Sequence, residues 1–168
     1  MDRRTTNPAE VALALLARLR AHMPMANESN CFLALDDNPS VPNLGDWFLV
    51  LGLGEGQFDD GILDGAGREA VRHTMTASVN LYSLTVLDQA GQHGIFLTDA
   101  SAGLLKRWRD VLDALVLFDP IDETGVGLLC EPVFPTTYGP VLARKPTRAG
   151  WRQNFRLTFE WDLSSDEA

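Results

Sequence analysis

The chain has 168 residues, 45 % of them hydrophobic and 22 % charged, which is ordinary folded-protein usage and excludes disorder as its general state. That length fits one domain, 1–168, with room for a sizeable core. A net charge of −9 speaks against a binder of nucleic-acid phosphates, and no apolar run approaches the roughly 20 residues of a membrane span.

Taken in chain order, "MDRRTTNPAE" lacks the pattern of a signal peptide. Asn7-Pro8-Ala9-Glu10 then opens a helix. Asn7 suits the cap, Pro8 the first helical position, and Glu10 a capping box. Val11, Ala12, Leu15, Leu16, Leu19 and Met23 fall on one stripe at helical spacing, so a helix is expected over about 8–22, ended by Pro24. Residues 24–45 read as a long irregular stretch, with "CFLAL" inside it as a short edge strand. "DWFLVLGLG" (46–54) is apolar on both faces, the pattern of a strand buried from both sides. The glycine-rich, acidic 54–67 reads as a loop.

Residues 72–88 alternate. Met75, Ala77, Val79 and Leu81 share one face; Thr74, Thr76, Ser78 and Asn80 share the other. A second helix is expected from Asp99 or Ser101 to Pro120. Its apolar stripe is Leu104, Leu105, Trp108, Val111, Leu112 and Leu115, with Lys106, Arg107, Arg109, Asp110 and Asp113 outside. "VGLLCEPVFP" (126–135) reads as a strand stopped by prolines, and 136–150 as a long basic loop. The last strand, 151–163, is greasy at Trp151, Phe155, Leu157, Phe159, Trp161 and Leu163 and polar at Arg152, Asn154, Arg156, Thr158, Glu160 and Asp162. Its expected partner is 126–135, as a hairpin; a polar tail, 164–168, follows. The order α-β-β-α-β-β predicts an α+β fold: a twisted, mostly antiparallel sheet with two helices packed on one face.

The chain offers no reaction chemistry. His22, His73 and His93 have no ligand at a metal-binding spacing, and the acids of "FDDGILDGAGRE" do not alternate as calcium ligands do. "GLGEGQ" is neither a dinucleotide fingerprint nor a phosphate loop, and no serine sits in a nucleophile elbow. Neither a catalytic residue nor a cofactor is expected. Cys31 and Cys130 read as buried free thiols of a reducing compartment, a disulfide being the alternative in an oxidising one.

Charge is segregated along the chain. No lysine or arginine stands between Arg20 and Arg68, a window with eight acids that include Asp36, Asp37, Asp59, Asp60 and Asp64. No acid stands between Glu131 and Glu160, where Arg144, Lys145, Arg148, Arg152 and Arg156 lie. Solvated loops are the plain reading. The sharper one is that Asp36, Asp37, Asp59, Asp60, Asp64, Arg144, Lys145, Arg148 and Arg152 serve interfaces between copies or with neighbouring proteins. Connections of 24–45, 54–67 and 136–150, longer than the usual roughly 4–6 residues, suit contact with other proteins.

This organisation resembles the tail terminator proteins of long-tailed bacteriophages, also called minor tail or tail-completion proteins. The likeness is carried by the helix after Asn7, the strand "DWFLVLGLG", the alternating 72–88, the helix with Trp108, and the basic loop running into "RAGWRQNFRLTFEWDL". The resemblance implies a non-enzymatic virion protein, assembled in the host cytoplasm. It implies a self-assembled ring, usually of six copies, at the head-proximal end of the tail tube. Such a ring stops tube polymerisation and meets the tail-tube protein and a neck or head-completion protein. DNA passes through its lumen without sequence-specific binding, and there is no membrane partner. A head-tail connector or a tube-like component is the alternative on the same scaffold; a small ligand-binding domain or enzyme is the reading from another class. The lengths of 24–45 and 136–150 depart from the compact members.

Overall fold

The computed structural model describes residues 7–34, 47–58, 62–63, 69–84, 104–121, 125, 129–141 and 148–162. Helix α1 spans Pro8–His22. The Asn7 side chain accepts from the Ala9 amide at 2.9 Å, which satisfies one of the donors a helix start leaves over. Val11, Ala12, Leu15, Leu16, Leu19 and Met23 are all buried, so the helical stripe is the core-facing one. The chain turns out at Met23, which is extended, and Met25, whose φ of 64° is left-handed.

Six strands follow: β1 Cys31–Leu33, β2 Trp47–Phe58, β3 Ile62–Leu63, β4 Glu69–Leu84, β5 Phe134–Val141 and β6 Arg148–Asp162. Helix α2, Leu104–Leu115, lies between β4 and β5 in the chain. Five strands run β1-β2-β4-β6-β5 across one sheet, and the short β3 pairs with β4. Among the described residues only the β1–β2 pair is parallel. The fold is therefore α+β with a mostly antiparallel sheet, as the pattern of elements predicts.

The sheet's period of two sorts its side chains. Trp47, Leu49 and Leu51 of β2, Ala77, Val79 and Leu81 of β4, and Phe155, Leu157 and Phe159 of β6 pack with both helices in one core. Phe155, Leu157 and Phe159 are each at most 1 % exposed. Burying each stabilises the fold by about 1.5–3 kcal/mol before entropy. The opposite face carries a smaller cluster of Phe48, Val50 and Tyr82, with Phe32 against it. Phe48 stacks on Tyr82 at 4.7 Å between ring centres.

Four expectations are corrected. First, of 126–135 only Phe134 and Pro135 are seen to pair with β6, antiparallel as expected: β5 is Phe134–Val141, so it runs on into the region read as a loop, and β6 already starts at Arg148. Pro135 and Pro140 do not stop this strand. It lies at the sheet edge, where a nitrogen without a hydrogen can face away from the paired neighbour. Second, the loop expected over 54–67 is partly strand, because β2 runs on to Phe58 along β4, with an irregularity between Leu53 and Gly56. Third, β6 has two partners. It is a central strand, with β4 on its other side over fifteen residue pairs from Ala70↔Asp162 to Leu84↔Arg148. Fourth, Arg107, expected on the outside of α2, is 4 % exposed. Its guanidinium lies 4.1 Å from the Trp47 ring centre and donates to the Pro24 carbonyl at 2.6 Å. Burial lowers its pKa from the usual arginine value, and Asp110 on the same helix opposes that shift. The remainder of 72–88 past Leu84 and the start of the second helix before Leu104 lie outside the described residues.

Candidate interface

Among the described residues, several buried polar groups tie strands and helices together. Gln153, 1 % exposed on the helix-facing side of β6, accepts from the Trp108 indole at 2.9 Å and donates to the Asn154 carbonyl at 2.8 Å. Trp108, Tyr138 and Trp151 form one aromatic group around it, with ring centres 5.0 to 6.1 Å apart. His73 sits in a cross-sheet row between Phe58 and Phe159, stacked on both. Burial pushes the Cys31 thiol up to about 11 and the Cys130 thiol up to about 12; Arg20 opposes the shift at Cys31. Both cysteines are free, and thiols so raised are inert at neutral pH. Among the described residues no three His, Cys, Asp or Glu side chains gather as a metal site.

Beyond the Phe48, Val50 and Tyr82 cluster, the face of the sheet away from the helices carries polar side chains on β4, β6 and β5. Ser78 donates to Asn154 at 2.7 Å, and Asn154 donates to the Thr137 hydroxyl at 2.9 Å. Arg152 donates to the Asn80 side chain at 2.7 Å. Arg156 lies over the Phe134 ring, 4.9 Å from its centre. Phe134 is 47 % exposed and Tyr138 is 62 % exposed. These two large side chains stand on one strand at the sheet's edge but on opposite sides of it, Phe134 level with Arg156 on the polar face and Tyr138 level with Gln153 against Trp108 of α2; an edge is the position where contact with another chain costs least rearrangement.

Of the interface residues expected from the charge pattern, Arg152 is described in full: half-buried and held against Asn80 within the chain. Arg148 opens β6 opposite Leu84. Asp36, Asp37, Asp59, Asp60, Asp64, Arg144 and Lys145 lie outside the described residues. Their flanks do have places. Phe58 and Glu69, either side of Asp59, Asp60 and Asp64, are at the end of the sheet where Ala70 pairs with Asp162. Val141 and Arg148, either side of Arg144 and Lys145, are at the other end, where Trp47 pairs with Ser83. Along β4 these ends are separated by about 45 Å at the usual rise per residue. The flanks of Asp36 and Asp37 are Ala34, whose amide donates to the Leu51 carbonyl, and Trp47.

Sequence reasoning passes over Phe134 and Tyr138 as surface features, and it leaves Arg156, a member of the basic window, out of the expected interface residues. The alternation of 151–163 does put Arg156 on the polar face. Nothing in the sequence puts Phe134 and Tyr138 on one edge strand once prolines are read as strand stops.

No family model matches the chain, and no curated protein matches it. Among solved structures the chain is similar to a component of the virion of a native gene transfer agent particle, at 19 % identity and a TM-score of 0.48, over 95 % of this chain and 98 % of that one. It is also similar to the sheath/tube terminator of an extracellular contractile injection system, PVC, in the extended state, at 16 % identity and a TM-score of 0.48. That second match covers 98 % of this chain, which spans 60 % of the terminator's length.

Proposed function

We propose that this chain is a structural component of a phage-type tail: a tail terminator whose copies form a ring, with six as the expected number, at the head-proximal end of the tail tube. In this role it ends tube polymerisation and offers a second surface to a neck or head-completion protein. The observation that carries the reading is the sheet's polarity. The connection bearing Asp59, Asp60 and Asp64 leaves from one end, and the connection bearing Arg144 and Lys145 leaves from the other, beside Arg148.

A terminator needs two unlike rims, one to seat on the tube and one to receive the next component. Strands set along the ring axis would supply an acidic rim and a basic rim from one chain, without any added domain. Unlike rims favour stacking on a complementary partner over stacking on an identical ring face. A net charge of −9 per copy also keeps passing DNA from adhering to the assembly.

The test is negative-stain microscopy of tail tubes grown with and without the purified protein. The expected result is a single ring at one tube end and tubes that stop lengthening. Reversing Arg144, Lys145 and Arg148 to glutamate is expected to leave the rings intact and the tube ends bare. Polymerisation of this chain into tubes of its own, or tubes that grow unaffected, would contradict the reading.

A further inference from the structure

The two lateral margins of the molecule carry complementary exposed side chains, and we propose that they meet in neighbouring copies: Tyr138 on the β5 margin of one copy packs against Leu13 and Leu33 on the α1–β1 margin of the next, with Arg109 of the first beside Glu28 of the second. This rests on the self-assembly proposed above and names the lateral joint that makes it.

The register sets the two margins level. One row of the sheet runs Leu33, Leu51, Val79, Gln153, Tyr138. Its ends stand at the same height on opposite margins. Both end side chains are on the helix-facing side. Leu33 shares the side of Leu51 and Val79, which lie in the core under the helices, and the Tyr138 ring is 5.0 Å from that of Trp108 on α2. Leu33 is 38 % exposed and Tyr138 62 % exposed. The next two rows end in Phe32 and Gly139, and in Cys31 and Pro140, so the whole of β1 lies level with β5. A neighbour related by rotation about an axis along the strands keeps each row at its height, and so brings Leu33 to Tyr138.

Leu13 belongs to the same margin as Leu33. Arg20 faces β1, where it donates to the Cys31 carbonyl at 2.7 and 2.9 Å. Leu13, seven residues earlier, is on that same side of α1 and is 57 % exposed. On the other side of α1, Arg18 donates to the Ala114 carbonyl of α2.

The contact is made by side chains, because backbone pairing is blocked. β1 bonds to β2 through the Asn30 carbonyl and the Ala34 amide, so the groups of Cys31 face outwards. Both are already used, the carbonyl by Arg20 and the amide by the Asn27 carbonyl. Level with Cys31 on the other margin, Pro140 has no donor. Tyr138 suits the role of anchor. It is backed by the Trp108 and Trp151 rings, and tyrosine gives a large contact with little side-chain freedom to lose. An aromatic knob on one margin and aliphatic side chains on the other select a head-to-tail joint over a two-fold one.

Charge complements the contact. Glu28, 91 % exposed, lies 3.8 Å from Arg20 on the α1–β1 margin. Arg107 and Ala114 turn toward α1; Arg109, two positions from Arg107, points to the opposite side of α2 and is 81 % exposed. Its partner within the chain is Asp113 at 3.9 Å, an exposed pair that yields easily.

The experiment is sedimentation velocity on the full chain over a concentration series, for wild type, Tyr138→Asp, Leu13→Asp and Tyr138→Phe, with thermal unfolding to check folding. Leu13 stands on an exposed helix surface, so its variant is expected to fold even where Tyr138→Asp does not. Each aspartate is expected to raise the concentration for half-assembly by at least ~10-fold, and Tyr138→Phe to stay within a few-fold of wild type. A short bismaleimide is then added to Leu13→Cys chains, to Tyr138→Cys chains and to their mixture. Two-chain products are expected from the mixture and not from either variant alone, since Cys31 and Cys130 are buried. A folded Leu13→Asp variant that assembles like wild type, a mixture that gives no product, or equal products from one variant alone would overturn this joint and leave the tail reading standing. A wild type that is monomeric at all concentrations would overturn both.

Discussion

Replacing Arg107 with alanine tests the least expected contact of the core. The side chain is 4 % exposed, its guanidinium is 4.1 Å from the Trp47 ring centre, and it donates to the Pro24 carbonyl at 2.6 Å. It therefore ties α2 to both the first residue of β2 and the turn after α1. A desolvated cation–π contact contributes about 2 kcal/mol, and a charge-assisted hydrogen bond about 1.5–3 kcal/mol. Burying the guanidinium costs part of this, as its lowered pKa records. Alanine removes that cost along with the contacts, so the net loss is expected at about 2–3 kcal/mol, not the full sum. For a domain of this size that lowers Tm by roughly 5–10 °C. Lysine keeps a charge near Pro24 but loses the planar stack, and is expected to lose about half as much. The assay is urea unfolding followed by tryptophan fluorescence, with the slope m unchanged between variants. An alanine variant within ~0.5 kcal/mol of wild type would refute the assignment of Arg107 as a tie between the helices and the sheet.

Three further outcomes are expected. Gly150→Ala places a Cβ 2.9 Å from the Val141 carbonyl and 3.1 Å from the Tyr82 ring, so it should destabilise the β5–β6 pairing by about 1–3 kcal/mol in the same unfolding assay. Gln153→Leu removes the acceptor of the Trp108 indole and should cost about 1–3 kcal/mol, with a shift of tryptophan emission; an unchanged stability would mean that water replaces it. The thiols set an alkaline limit. Because folding raises Cys31 to about 11 and Cys130 to about 12, their contribution is intact below the unfolded thiol pKa near 9 and is lost as pH climbs toward those values. Stability measured from pH 8 to 11 should fall in wild type and fall less in a Cys31→Ala, Cys130→Ala variant; identical slopes would contradict the assignment.

The helices and the two sheet faces were legible because each rests on a local period. The α1 stripe and the alternation of 72–88 and 151–163 are read directly as buried and polar sides, and the Asn7 cap needs only its neighbours. What could not be read depends on position in the sheet. A proline stops a central strand but not an edge strand, so β5 stays hidden until Phe134–Val141 is known to be the edge. The glycines of 54–56 weaken a lone strand, yet β4 holds them in register from its own side. Arg107 has a helix-surface identity, and only the approach of Trp47 and Pro24 from distant parts of the chain makes a place for it inside. The segregation of charge was plain as a pattern, but which end of the sheet the flanking strands reach follows from strand order, and strand order is a tertiary property.

Native mass spectrometry of the purified chain, across a range of concentration and salt, addresses most directly the claim that this protein works by meeting copies of itself. One closed species at a single discrete multiple of the 18.5 kDa chain is expected, dissociating as salt rises. A population that stays at the mass of one chain under every condition would contradict it.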